Sequence, residues 1–199
     1  MRDDNVEESW DGMSESETSA TASAEDVLAF WMSAGSSHWF EADESFDAAI
    51  RERFAATYEA AAAGLLGAWE YSPRCALALV IVLDQFPRNM FRNSARAYAA
   101  EPLARTVARK AIEAGFDRQV DLPVRAFFYL PFEHSEELAD QERAVALFRD
   151  TGDADLLKWA ELHADIIRRF GRFPHRNVVL GRTTTPQEQA FLDGGGFSS

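Results

Sequence analysis

An apolar run of nine residues, from Cys75 to Leu83, constrains the fold more than any other stretch of this sequence. Ser72 and Pro73 stand just before it, and a serine followed by a proline is typical of a helix N-cap and first helical position. Because the run is apolar on every side of the predicted helix, we expect this helix to be fully buried. It is therefore predicted to be the central helix of the protein.

Helical signals dominate the rest of the sequence as well. Large apolar residues recur at intervals of four from Phe46 to Tyr58, and Gly64 follows as a stop signal. Further helices are predicted over 102–114, over 123–148 with a kink or break at Pro131, over 153–170, and from Thr185. No stretch alternates strictly between apolar and polar residues. We therefore predict an all-α protein of about seven or eight antiparallel helices joined by short loops.

Composition and charge limit the kinds of partner. The chain has 199 residues, of which 47% are apolar, enough for one domain with a sizeable core. Its formal charge of -13 argues against nucleic acid or an anionic membrane as a partner. Residues 1–26 carry nine acidic residues and one basic residue. We predict a disordered acidic tail over 1–22, a single all-α domain over 23–193 and a loose tail over 194–199.

The sequence also indicates a cellular compartment. No uninterrupted apolar run approaches the roughly 18 residues of a membrane-spanning helix. The first residues lack the basic start and apolar centre of a signal peptide. The one cysteine, Cys75, cannot form an intramolecular disulfide, and its apolar neighbours predict a buried, unreactive thiol. A cytoplasmic location is the expectation.

Three ionisable residues lie on apolar faces of predicted helices. At helical spacing, His134 shares a stripe with Phe127 and Leu138. His163 lies at the apolar centre of the helix over 153–170, and Asp84 is the first charge after the central apolar run. Buried polar groups need partners, so these residues either satisfy one another in a structural network or form a functional site. The residues alone leave both interpretations open.

Arginines accompany two Phe-Pro steps, at 86–87 and 173–174. Arg88 and Arg92 follow the first step, and between residues 165 and 188 there are five arginines and no acid. Because proline disfavours helical backbone in the residue before it, we predict that a helix ends at each step. A guanidinium group suits carboxylate or phosphate, so these arginines either anchor an anionic ligand or balance the protein's own carboxylates.

Five stretches of the sequence resemble a known bacterial family: VLAFW, WFEADESFDAAIRERF, LALVIVLDQFPRNMFR, FFYLPFEHSEELADQERAVALF and IIRRFGRFPHRNVVLGRTTTPQEQAFL. It is the domain-of-unknown-function family numbered 924, and the resemblance covers about residues 25–192. The family is grouped with tetratricopeptide-like helical folds, so the resemblance implies a right-handed array of antiparallel helix pairs. It implies no activity. One departure is His38, where family members often have a basic residue.

The resemblance also implies a set of polar site residues. Carried over residue by residue, the polar positions of the family motifs are Asp84, Gln85, Arg88, Asn89, Arg92, Glu133, His134, Ser135, Glu136, His163, His175, Arg176 and Asn177. Asp84, Glu133, His134 and His163 are the candidate acid–base residues. The other positions, together with Arg172, are the candidate ligand-binding residues. We predict a site on the inner face of the array that binds a small anionic molecule, with acid–base chemistry as its candidate activity.

Two alternatives remain open at this stage. Imidazole and carboxylate groups also bind transition metals, so His134, His163, Asp84 and Glu133 are a possible metal set. Against it, no close ligand spacing such as His-x-x-x-His occurs, and the nearby arginines would repel a cation. A tetratricopeptide-like array is also a common scaffold for binding a peptide or partner protein. The sequence implies no particular cofactor.

Overall fold

The computed structural model describes residues 20–39 and 42–196, and no β-strand occurs among them. The helices are α1 (Ala24–Ala34), α2 (Ser36–Trp39), α3 (Glu44–Ala62), α4 (Pro73–Val80), α5 (Phe86–Met90), α6 (Glu101–Glu113), α7 (Leu122–Arg125), α8 (Leu130–Glu133), α9 (Leu138–Thr151), α10 (Ala154–Phe170) and α11 (Pro186–Asp193). Because α4 continues into α5 and a 3-10 turn joins α7 to α8, these residues contain about nine separate helices. The all-α prediction is confirmed, with slightly more helices than expected.

The central helix is confirmed. The Ser72 hydroxyl accepts a hydrogen bond from the Cys75 backbone N–H, and Pro73 is the first helical residue. Every residue over 76–86 is buried. The helix packs against α1 and α6 on its first half and against α3 on its second. Cys75 is half-buried rather than buried, because it lies in the first turn at the edge of the core.

The helix end predicted at the first Phe-Pro step is wrong. Phe86 has helical backbone angles (φ -56°, ψ -41°), and the helix continues through Pro87 to Met90. Residues Ile81–Gln85 form a π-helical turn, in which the Phe86 N–H donates to the Ile81 carbonyl. Proline removes a backbone donor and clashes with the carbonyl four residues earlier, and the wider turn relieves that clash. The helix therefore passes the proline without ending.

The second Phe-Pro step follows the prediction. Helix α10 ends at Phe170, and Gly171 takes a left-handed conformation (φ 68°) that a side chain would disfavour. Phe173 is extended, and Pro174 opens a 3-10 turn over Pro174–Arg176. The two similar sequences thus have different structures.

The single helix predicted over 123–148 is divided. Helix α7, a 3-10 turn over Ala126–Phe128 and α8 precede a turn at residues 134–137, after which α9 begins. The predicted break is confirmed, with Pro131 in the first turn of the new helix α8. The stripe through His134 is not continuous, because Leu138 is 41% exposed. His134 therefore owes its position to the turn after α8 and not to helical phase.

One large apolar cluster extends from α1 to the first half of α10, and α9 packs along α10. A smaller cluster of Ile166, Ile167 and Phe173 joins the end of α10 to α11 through Phe170 and Phe191. Within the described ranges, no helix is long and apolar enough to cross a membrane. Residues 1–19 of the predicted acidic tail and residues 197–199 of the predicted loose tail lie outside the described residues.

Candidate functional site

Asp84 and His134 form a hydrogen-bonded pair at the centre of the polar network. The π-helical turn holds Asp84 inside the protein, where it is 1% exposed. His134 Nδ1 lies 2.9 Å from both carboxylate oxygens, and Gln85 Nε2 donates to Oδ2 at 2.6 Å. The carboxylate accepts the Nδ1 proton and so fixes the tautomer, which leaves Nε2 as an acceptor. Among the hydrogen bonds of residues 20–39 and 42–196, the imidazole of His134 takes part through Nδ1.

The surroundings set the charges of this pair. Burial raises the pKa of Asp84, but His134, Arg88 and Gln85 favour the carboxylate more strongly and hold the pKa below its usual value. Burial lowers the pKa of His134, Arg88 lowers it further, and together they outweigh Asp84. At neutral pH the pair is therefore a carboxylate with a neutral imidazole. The imidazole can accept a proton through Nε2.

Two arginines converge on a single carboxylate beside this pair. Arg88 Nη2 donates to Glu101 Oε1 at 2.5 Å, and Arg176 Nη1 donates to Oε2 at 3.2 Å. Arg176 Nη2 also donates to the His134 carbonyl at 3.1 Å. The Tyr98 ring covers both guanidinium groups. Its centroid lies 5.5 Å from Cζ of Arg88 and 4.4 Å from Cζ of Arg176. Arg176 is 3% exposed, and its salt bridge with Glu101 and its cation–π contact with Tyr98 stabilise this buried position.

The bonding of Arg88 and Arg176 differs from that of other arginines in this protein. Each contributes one nitrogen to Glu101. The buried Nε of each has no hydrogen-bond partner in the described part of the chain, which is also true of Arg125 and Arg182. Four other arginines bind their carboxylates through two nitrogens: Arg74 with Glu25, Arg92 with Asp47, Arg172 with Glu188 and Arg182 with Glu136. Two cations therefore share one carboxylate without using their two-point geometry.

His163 and Glu133 form a second buried pair. His163 Nδ1 lies 3.0 Å from Glu133 Oε1 and 2.8 Å from the Trp159 carbonyl. Both of these oxygens are acceptors, so Nδ1 carries a proton. His163 is 7% exposed and Glu133 is 4% exposed, which confirms the inward position predicted for His163. The Phe173 ring packs edge-on against the imidazole at 5.6 Å.

The comparisons with known proteins agree with this architecture. Residues 27–196 match the family described as bacterial protein of unknown function, DUF924. The chain belongs to this family. A solved structure of a protein of unknown function, ATU0120 from Agrobacterium tumefaciens, is 46% identical with a TM-score of 0.84, over 86% of this chain and 97% of that one. No curated protein matches the sequence. The resemblance seen in the motifs is confirmed, and neither description names an activity.

His175 is the third histidine of the DUF924 network, and it lies among cations. Burial lowers the pKa of His175 to about 3, with further lowering by Arg176, Arg88, His163 and Arg182. The imidazole is therefore neutral in the folded protein over the physiological range. Together with the lowered pKa of His134, this indicates that the interior of the network is electropositive.

We expect His175 to make the protein less stable as the pH falls. The unfolded chain takes up a proton near the ordinary histidine pKa of 6.5, whereas folded His175 resists protonation down to about 3. Its contribution is complete above the unfolded pKa and is lost as the pH falls toward the folded one. In the His175→Asn variant the pH dependence of the unfolding free energy should become shallower, by up to about 1.4 kcal/mol per pH unit.

Chemical denaturation at several values between about pH 6 and about pH 4.5 measures this slope. Exposed Arg149→Gln is a suitable control, since it leaves all four histidines in place. An unchanged slope in His175→Asn would show that folded His175 takes up protons as readily as the unfolded chain.

Asn89 and Arg92 lie outside this network. Asn89 Nδ2 donates to Asp47 Oδ1 at 2.7 Å, and Arg92 donates to both Asp47 oxygens. Asp47 belongs to α3, so these contacts fasten the end of α5 to that helix. Asn89 faces α3 because it occupies a different side of the continuous helix from Asp84, and Arg92 reaches Asp47 from the turn that follows the helix. Asn89 and Arg92 therefore belong to a structural cluster with Asp47, separate from the other predicted ligand-binding residues.

Three further predicted residues hold loops together. Arg172 binds Glu188 and the Thr183 carbonyl, which anchors α11. The Ser135 hydroxyl donates to Asp140 at 2.8 Å, and the Asn177 amide donates to Thr184 at 3.3 Å. Both of these side chains are fully buried. We find none of the three in hydrogen bonds with the Asp84–His134 pair or with Glu101.

Glu136 binds the segment that follows α10. It accepts hydrogen bonds from the Phe173 backbone N–H at 2.8 Å and from both terminal nitrogens of Arg182. Burial raises the pKa of Glu136, but Arg182 and the backbone donor outweigh it, and the pKa lies below its usual value. Glu136 is therefore ionised and engaged by protein groups.

The predicted metal set does not come together. Its four residues separate into the Asp84–His134 pair and the Glu133–His163 pair. Among the described residues, no group of three or more histidine, cysteine, aspartate or glutamate side chains is arranged to hold a metal ion. The arginines around the network also make it a poor cation site.

Proposed function

We propose that this DUF924 protein binds a small anionic molecule beside His134 and performs acid–base chemistry on it. The observation that carries the proposal is the Asp84–His134 pair. A fully buried carboxylate orients an imidazole that is 15% exposed, so that Nε2 remains an acceptor. A general base needs this arrangement: a neutral ring, a fixed tautomer and an open acceptor nitrogen.

The charges around the pair suit proton abstraction from an anionic molecule. Arg88 is 19% exposed and lies 3.9 Å from Asp84, so it can hold an anionic group close to the imidazole. His134 Nε2 would take the proton, and the buried Asp84 carboxylate would stabilise the imidazolium that forms. The chemical class is therefore transfer of a proton from a molecule that also carries a carboxylate or phosphate.

Nitrogen NMR of the histidine rings tests this proposal. We expect His134 to be neutral at neutral pH, with its proton on Nδ1 and a bare Nε2. Acetate and inorganic phosphate are the probes, and a bound anion should raise the pKa of His134 because it offsets the nearby arginine. Arg88→Met should remove that response. His38, which is outside the network, is the internal reference.

Two outcomes would contradict the proposed function. The first is a doubly protonated His134 ring at neutral pH, because such a ring accepts no proton. The second is a His134 signal that neither probe moves at any concentration that leaves the protein folded. Assignment through His134→Gln identifies the resonance in either case.

We propose further that the helices pair as in tetratricopeptide arrays, and the packing of α9 along α10 supports this.

A second role as a scaffold is favoured by two apolar side chains on the open side of α10. Trp159 is 48% exposed and Leu162 is 39% exposed, three residues apart. A partner protein that binds the wild type but not Trp159→Ser would support this role. Equal binding to both would oppose it.

A further inference from the structure

Arg88 and Arg176 share the carboxylate of Glu101. Each guanidinium gives one hydrogen bond to one oxygen of the carboxylate. The Nε of each is buried, and no described residue accepts a hydrogen bond from it. Arg176 is 3% exposed, so its unused donor lies in the interior. A buried arginine donor without a partner is costly and needs an explanation. Arg125 and Arg182 also have such an Nε, so the argument depends on the two guanidinium groups that share Glu101.

The local charges also favour an anion between the two guanidinium groups. Two guanidinium cations share the one carboxylate of Glu101. The next carboxylate, Asp84, is 3.9 Å from Arg88 and already accepts hydrogen bonds from His134 and Gln85. The cations therefore have fewer carboxylate contacts than the two-point pairs elsewhere in the protein. The position between the two guanidinium groups therefore suits the acid group of a ligand as well as it suits Glu101.

Glu101 is placed so that it can leave without unfolding a helix. It is the first residue of α6, between buried Ala100 and exposed Pro102, so its side chain lies at the end of the helix next to solvent. Rotation of the Glu101 side chain toward solvent would empty the space between the two guanidinium groups. The Glu101 carboxylate gives one oxygen to each arginine. Another planar group with two oxygens, such as a ligand carboxylate, can make the same two contacts.

We propose that Glu101 is an internal substitute for the acid group of a ligand, and that the ligand is a small carboxylate. When it binds, its carboxylate takes the place of the Glu101 carboxylate between Arg88 and Arg176. The Tyr98 ring then covers the bound acid group, and the rest of the ligand extends toward His134. This inference rests on the anion site of the proposed function and adds the ligand class and an internal competitor.

Chemical rescue by acetate tests this inference. Glu101→Ala removes the internal carboxylate, and acetate should bind this variant at least about tenfold more tightly than the wild type. Thermal unfolding at constant ionic strength measures binding. At a tenfold excess over the dissociation constant, we expect the Tm of Glu101→Ala to rise by about 2 to 4 °C. Inorganic phosphate should give a smaller rise, because its oxygens are tetrahedral.

Glu188→Gln is the matched control, since it removes the carboxylate partner of Arg172 outside the network. It should show no saturable response to acetate. If Glu101→Ala does not fold, Glu101→Ser provides the same comparison, because its short side chain also vacates the space between the guanidinium groups. Near-UV circular dichroism establishes that either variant is folded before binding is measured.

The outcomes separate this inference from the proposed function. If acetate stabilises the wild type and both Glu101 variants equally, Glu101 is no competitor, and the anion site remains. If phosphate rescues better than acetate, the assignment to carboxylates is overturned. If acetate and phosphate stabilise neither the wild type nor a folded Glu101 variant, both the inference and the anion site fail. A selective rise for acetate in the Glu101 variants alone supports the inference.

Discussion

Replacement of Asp84 by asparagine is expected to lower the free energy of unfolding by about 2 to 4 kcal/mol. The side chain is 1% exposed and accepts hydrogen bonds from His134 Nδ1 and Gln85 Nε2. An asparagine of the same shape turns one acceptor oxygen into a donor, which then faces another donor. It also removes the charge opposite Arg88. Urea or guanidinium denaturation at neutral pH measures the loss.

Asp165→Asn is the control for this substitution. Asp165 is 55% exposed and lies 3.4 Å from Arg169, a surface pair whose loss should change the unfolding free energy by no more than about 0.5 kcal/mol. Because the pKa of Asp84 is lowered in the folded protein, its contribution is present above the ordinary aspartate pKa and is lost as the pH falls through the folded value. The difference between wild type and Asp84→Asn should therefore narrow in acid. An Asp84→Asn effect as small as that of Asp165→Asn would mean that this carboxylate is not ionised.

Local signals predicted the central helix because each of them acts within a few residues. The N-cap at Ser72, the proline that follows and the apolar run all act through neighbouring backbone. The passage of the helix through Pro87 could not be predicted in the same way. The π-helical turn that permits it is stabilised by burial in the core, which is a property of the whole fold.

That error carried over into the site assignment. Once the helix continues through Pro87, Asp84 and Arg88 are four residues apart on one face, whereas Asn89 lies on another and Arg92 lies in the turn after the helix. The two sets consequently have different partners, Glu101 for Arg88 and Asp47 for Asn89 and Arg92. A helix predicted to end at Phe86 does not give the residues after it defined positions around a helix axis. The sequence therefore could not assign Arg88 and Asn89 to different faces.

Glu101 shows what neither pattern nor motif could supply. It is the first residue of its helix, where an acidic residue is common because its negative charge interacts favourably with the positive end of the helix dipole. Its partners are Arg88 and Arg176, the latter 75 positions away in the sequence. Inward positions for Asp84, His163 and Arg176 followed from apolar faces and motifs. The residue that joins the arginines was recognisable only from the tertiary structure.

Replacement of Arg176 by methionine is also expected to lower the free energy of unfolding by about 2 to 4 kcal/mol. The change removes a donor to Glu101 and to the His134 carbonyl, together with contacts on the Tyr98 and Phe173 rings. Methionine fills much of the same volume, so the loss reports mainly on the ion pair and the donors. Relief of repulsion with Arg88 offsets part of it. Chemical denaturation at neutral pH provides the measurement.

Arg149→Met is the matched control, because Arg149 and its partner Glu161 are 60% and 56% exposed and 3.5 Å apart. It should change the unfolding free energy by no more than about 0.5 kcal/mol. Combining Arg176→Met with Glu101→Gln tests whether the two residues act as a unit. Since Glu101→Gln removes the charge that Arg176 neutralises, the double variant should lose at least about 1 kcal/mol less than the sum of the single losses. Strictly additive losses would show that Arg88 alone satisfies Glu101, and that Arg176 is retained for a group other than this carboxylate.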